Sequence, residues 1–188
     1  MRLVQVAAAA AVGIAVLAGC SGGETANETL PSTSSSAAGT AASLPPLGPP
    51  DLPMPDEARE QTPAGAEAFL RYYMAVYTKA QVEMDSTYLR QFSQECSFCD
   101  ALIQRLDENA ASRHTYDGGA VTLRATSLTP DADGAIEGAF TIDQAALTIH
   151  DEAGATVSED PQATYSCGAV LTWRPTEAAW AMTQWDVN

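Results

Sequence analysis

Positive charge is scarce in this sequence. Nine Lys and Arg stand against 24 Asp and Glu in 188 residues, a formal net charge of -15. Nucleic acid is thereby excluded as a partner, because phosphate binding needs a basic patch. Electrostatic docking on anionic lipid headgroups is excluded for the same reason. Histidine is scarcer still, with only His114 and His150. A zinc site built on the cysteines would need two further ligands from that pair. There is no Ser-His-Asp order, no phosphate-binding glycine loop and no Asp/Glu/His cluster at metal-ligand spacing, so no metal or cofactor is expected. Cysteine is limited to Cys20, Cys96, Cys99 and Cys167. Long apolar runs are confined to one, Leu3 to Gly19, broken by Gln5. It falls short of the roughly 20 residues a membrane span needs, and no basic residues follow it.

What is present begins with that run. Arg2 ahead of a short hydrophobic stretch is the pattern of a secretory signal over residues 1–19. It closes on Leu17-Ala18-Gly19-Cys20, which resembles the bacterial lipobox. The resemblance implies cleavage just before Cys20 and a diacylglycerol thioether on its sulfur. That would hold the chain on the outer face of the cytoplasmic membrane, since two acyl chains anchor firmly where one is marginal. From Cys20 to residue 53 the chain is mostly Ser, Thr, Ala, Gly and Pro. Such a segment buries too little apolar surface to offset its conformational entropy and reads as a tether.

Residues 54–188 read as one folded domain, helical first and β afterwards. Thr62-Pro63 is a helix start, with an N-cap hydroxyl followed by proline at the first helical position. Ala66, Phe69, Leu70, Tyr73, Tyr77 and Ala80 then repeat at the spacing of one buried helical face. A short helix is expected over Ser86 to Phe92, with Tyr88 and Leu89 inward. A third follows Ser97, with Ala101, Leu102, Leu106 and Ala110 as its apolar stripe. After Asp117-Gly118-Gly119 the period becomes two. Val121, Leu123 and Ala125 form one face, and Ile136, Gly138, Phe140 and Ile142 another. Leu147 and Ile149 continue the pattern. Tyr165, Cys167, Ala169, Leu171 and Trp173 make a further inward face, and Trp180 to Val187 closes the chain. The order implies an α+β fold with helices packed on a curved antiparallel sheet. It resembles the NTF2-like cone, in which a bent sheet wraps the first long helix.

Within that domain Met54-Pro55, Thr62, Gly65-Ala66, Ala68-Phe69, Tyr73, Ala80, Leu89 and the Cys96/Cys99 pair resemble a family of actinobacterial lipoproteins, domain of unknown function family 6318. The resemblance covers Met54 to Gly119 well and the strands more loosely. It implies the same organisation of lipobox, tether and single domain. Val82-Glu83-Met84-Asp85 departs from the Thr-Gly-Asp that family members often carry there.

Several residue groups are candidates for chemistry. Cys96-Ser97-Phe98-Cys99 suits a structural disulfide outside the cell. A redox-active pair and a zinc site are the alternatives. Glu95 and Asp100 beside the pair disfavour thiolate. Cys167 is either a buried thiol or a partner for one of the pair. Asp131-Ala132-Asp133-Gly134 faintly resembles the start of a calcium loop but lacks the remaining ligand positions, and reads as a hairpin turn. His114 reads as a helix-capping residue. Tyr73, Trp173 and Trp180, with Trp185, are candidates for a ligand pocket; the plainer reading makes them core. The function these features imply is a non-enzymatic envelope domain that binds an apolar small molecule or docks on an envelope protein. The alternative is an enzyme, either a thiol-disulfide protein using Cys96/Cys99 or a pocket-based isomerase or hydrolase.

Overall fold

The computed structural model describes residues 46–188. The signal segment, Cys20 and the tether up to residue 45 lie outside the described residues. Among the described residues no helix is long and apolar enough to cross a membrane.

The first long helix, α1 (Pro63–Glu83), begins as its residues dictate. The Thr62 hydroxyl accepts from the Gly65 N–H at 2.9 Å, with Pro63 at the first helical position. Gly65 is required there, since a Cβ would collide with the Glu60 carbonyl. The expected face is buried in full, and so are Tyr72, Met74 and Val76, which makes α1 the central helix. Met84, in the left-handed region at φ 54°, ends it.

Two shorter helices follow, α2 (Thr87–Phe92) and α3 (Ser97–Ala111). The buried ridge of α3 is Cys99, Ile103 and Leu106. Leu106 of the expected stripe is on it; Ala101 is exposed, and Leu102 and Ala110 are half-buried. The rotation has a physical cause, since Cys99 at the helix start turns inward and carries Ile103 and Leu106 with it.

The strands are β1 (Thr115–Gly118), β2 (Val121–Pro130), β3 (Ile136–Gln144), β4 (Leu147–His150), β5 (Thr156–Asp160), β6 (Ala163–Arg174) and β7 (Ala179–Val187). They form two antiparallel sheets, β2-β3-β6-β7 and β1-β4-β5. With the three helices packed against them this is the expected α+β arrangement. The inward faces of β3, β4 and β6 follow the expected alternation.

On β2 it fails at one place. Leu123 opposes Ile142 and Ala125 opposes Thr141, so Arg124 is an extra residue. This bulge shifts the phase, and Ala125 faces solvent while Leu128 packs on the core. Strands β1 and β5 were not anticipated. Thr156 to Glu159 is exposed throughout and carries no period to read.

The N-terminal boundary also differs from the compositional reading. Residues 47–54 are folded onto α1. Met54 donates its N–H to the Leu47 carbonyl at 2.9 Å, the Tyr72 hydroxyl donates to Leu52 O at 3.0 Å, and Lys79 pairs with Asp51. Leu47 and Leu52 supply the apolar contacts, and the prolines around them lower the entropy lost on ordering. A single turn of 3-10 helix, Asp56–Arg59, follows. Arg59 donates to the carbonyls of Glu177 and Ala178, fastening this segment to the β6–β7 turn.

Candidate functional site

The site is built from the start of α3 and the far end of β7. Cys96 and Cys99 are joined in a disulfide, with Cα atoms 5.2 Å apart. The Cys96 sulfur also accepts from the Cys99 N–H, so the bridge serves as the helix cap. Both cysteines are fully buried. Next to Cys99, Phe98 packs at the margin of the core and meets Trp185, ring centroids 5.2 Å apart. Tyr73, Tyr77 and Phe140 complete the ring of aromatics around Trp185.

Beside this cluster lies a groove of about 350 Å³. Its apolar walls are Phe98, Leu102, Ile142 and Trp185, and its polar members are Tyr77, Arg105, Gln144 and Tyr165. Burial pushes the Tyr77 hydroxyl above its ordinary range, and the nearby charge of Arg105 partly opposes that. Burial also raises Tyr116, again opposed by Arg105. A more polar hollow of about 640 Å³ continues past the shared residues Phe98, Ala101, Trp185 and Val187 towards Glu95 and Asp186.

The expected pocket residues are elsewhere. Tyr73 is sealed behind Trp185, its hydroxyl paired with Ser93 at 2.8 Å. Trp173 and Trp180 meet edge to face at the other end of the β6–β7 hairpin. The Trp180 N–H donates to Glu60 O at 2.9 Å. Of the tryptophans, Trp185 borders the groove. Phe98, Leu102 and Arg105 were missed as lining residues, although their spacing of four and three is a helical ridge beside the buried one. Tyr165 was readable from its inward position on β6.

The other candidates have local roles. Cys167 is free and buried. Burial pushes its thiol up, and the neighbouring Trp185 indole partly offsets this. Asp131 accepts from the N–H groups of Asp133 and Ala135, which makes its loop the β2–β3 turn. Asp151 does the same for Ala153 and Ala155 before β5. His114 pairs through Nδ1 with Asn109 at 2.8 Å, at the end of α3. Among the described residues no group of three or more His, Cys, Asp or Glu is placed to hold a metal ion.

The model of a family of unknown function, DUF6318, matches residues 44–187. The chain belongs to this family. No curated protein matches it. Among solved structures, the intermembrane space region of the chloroplast protein ARC6 is similar at 20% identity and a TM-score of 0.49, covering 67% of this chain and 95% of that one. ActVI-ORFA from Streptomyces coelicolor is similar at 14% identity and a TM-score of 0.43, covering 67% and 96%. Aln2 from a Streptomyces species is similar at 10% identity and a TM-score of 0.41, covering 65% and 90%. The match to DUF6318 spans every described helix and strand and so includes the whole groove.

Proposed function

We propose that this DUF6318 chain is a cell-envelope lipoprotein, held on the outer face of the cytoplasmic membrane by a diacylglycerol on Cys20, whose domain binds an apolar small molecule without turning it over. The observation that carries the binding reading is the groove between α3 and the sheet. Its size is at the small end of ligand cavities, roughly 300–1,000 Å³, and its apolar walls with few polar groups follow the same pattern. The ionisable lining residues are an arginine and tyrosines, and burial favours the protonated form of Tyr77. A group poised as a general base near neutral pH is not among them.

The anchoring part rests on the sequence, through the apolar run that ends at Leu17-Ala18-Gly19-Cys20. Mass analysis of the chain purified from its native membrane tests it. A diacylglycerol adduct on an N-terminal Cys20 is expected, and an unmodified Cys20 overturns anchoring. For the groove, neutral phenylbutanol should quench or shift Trp185 fluorescence in a saturable way, and Leu102→Trp should abolish the response.

The thiol-disulfide reading has one observation in its favour, a disulfide at a helix start. Burial of both sulfurs favours a structural bond instead, because exchange requires access by an attacking thiolate.

A further inference from the structure

The basic residues of the domain are almost all neutralised. Arg71 pairs with Glu67, Lys79 with Asp51 and Glu83, and Arg90 with Asp107. Arg113 pairs with Glu152, Arg124 with Asp143, and Arg174 approaches Glu177. Arg59 is engaged by the carbonyls of Glu177 and Ala178. Arg105 differs. In a chain of 24 acidic residues it has no carboxylate within 4 Å among the described residues. An exposed arginine needs no partner, so this alone would mean little. Its position gives it meaning, because this guanidinium is also the cationic member of the groove's lining.

A guanidinium presents a fork of donors that matches a carboxylate, and such charge-assisted pairs are roughly twice as strong as neutral hydrogen bonds. At Arg105 the fork stands beside the Tyr77 hydroxyl, with Gln144 and Tyr165 in the same wall. The opposite end of the trough carries Glu95 and Asp186. A second anionic group there would meet like charge, so the trough has a polarity.

We infer that the groove takes a free amphipathic monocarboxylate of arylalkyl size, its acid group on Arg105 and its apolar body against Phe98, Leu102 and Trp185. This rests on the binding reading above and adds to it the charge and orientation of the ligand.

Three matched probes test it: phenylbutyrate, phenylbutanol and phenylbutylamine. Each is titrated calorimetrically into the full chain as purified from its native membrane into phosphatidylcholine nanodiscs, with empty discs as the blank. The carboxylate is expected to bind on the order of tenfold tighter than the alcohol, from one charge-assisted pair, and the ammonium weakest. Arg105→Gln should lower carboxylate affinity to that of the alcohol, and a cooperative urea unfolding transition shows that the variant is folded. Leu102→Trp should abolish both. Equal affinity of carboxylate and alcohol in the natural chain overturns the inference and leaves the binding reading standing. A carboxylate preference that survives Arg105→Gln, or carboxylate binding that survives Leu102→Trp, also overturns it. Binding of none of the three probes removes the groove reading itself.

Discussion

Two tryptophans of one strand, five residues apart, have different surroundings. Trp180 is closed in. Its ring meets Trp173 edge-on, its N–H reaches Glu60 O, and the Arg59 side chain spans the adjacent turn. Trp185 is equally buried, yet it borders a groove, and its N–H has no nitrogen or oxygen partner among the described residues. Burial alone therefore does not separate a structural aromatic from one beside a site. What separates them is whether the polar atom is satisfied by the fold and whether open volume lies against the ring. At the Trp180 end the N-terminal segment fills that volume. At the Trp185 end open volume lies along the Phe98–Leu102–Arg105 ridge of α3.

The sharpest test of the closed end is Trp180→Ala. It removes a fully buried ring and leaves Glu60 O without its donor. A loss of about 3–5 kcal/mol is expected in urea unfolding. Trp180→Phe keeps most of the ring and should still cost about 1–3 kcal/mol, because the carbonyl loses its partner. Neither variant should change probe affinity in the groove. A change there would mean that the two ends are coupled and the contrast is false.

The next effect belongs to the open end. The Cys96–Cys99 bond closes a loop of sequence separation 3, and so short a loop should contribute about 2 kcal/mol. The Cys96→Ser, Cys99→Ser double variant should lose that much and also weaken groove binding, since the bridge orients Phe98. Hydrogen exchange should rise in the first turns of α3 and stay low around Trp180. A stability unchanged by the double variant would remove the structural account of the bond and favour the redox reading.

Stability should also fall in alkali. Tyr73 and Tyr77, both against Trp185, are raised mainly by burial, and Cys167 is raised by burial too. A folded-state pKa above the unfolded value gives stability that is present below the unfolded value. It is lost as pH rises towards the folded one. The loss should begin above about pH 9, from the thiol, and steepen above about pH 10, from the phenols. Each withheld proton steepens it by about 1.4 kcal/mol per pH unit. Unfolding midpoints at pH 8 and pH 11 measure this. Tyr73→Phe should flatten the decline; an unchanged slope would mean that this phenol ionises freely in the folded state.

Much of the fold was legible because helical and strand periods are local. Thr62-Pro63 marked the start of α1, and Tyr165 to Leu171 marked the inner face of β6, each by spacing alone. Three features were not legible, for three reasons. The Arg124 bulge changes the phase of β2 without any unusual residue. Strand β5 has no apolar alternation, because it pairs on a sheet edge in solvent. The groove depends on the rotation of α3 about its axis, which Cys99 determines and the apolar residues do not: Ala101 and Leu102 read as core, yet Ala101 is exposed and Leu102 is half-buried at its margin. Trp173 and Trp180 lie away from this groove for a related reason. Nothing in the local sequence says that Glu60 will meet the Trp180 indole from 120 residues away.

The finest test of the contrast is Trp185→Phe. The substitution keeps an aromatic ring among Tyr73, Tyr77, Phe98 and Phe140 and removes an N–H that the fold leaves without an oxygen or nitrogen acceptor. Ring volume is lost, and the groove beside it absorbs part of that change. The expected cost in urea unfolding is below about 1.5 kcal/mol, smaller than for Trp180→Phe. The Cys167 sulfur is the group that could break the expectation, since its thiol interacts with this indole. A double-mutant cycle with Cys167→Ala measures that interaction, which sulfur as a weak acceptor should keep small. If Trp185→Phe costs as much as Trp180→Phe and the cycle returns a coupling above about 1 kcal/mol, the Trp185 N–H is satisfied after all. The difference between the two ends then reduces to open volume alone.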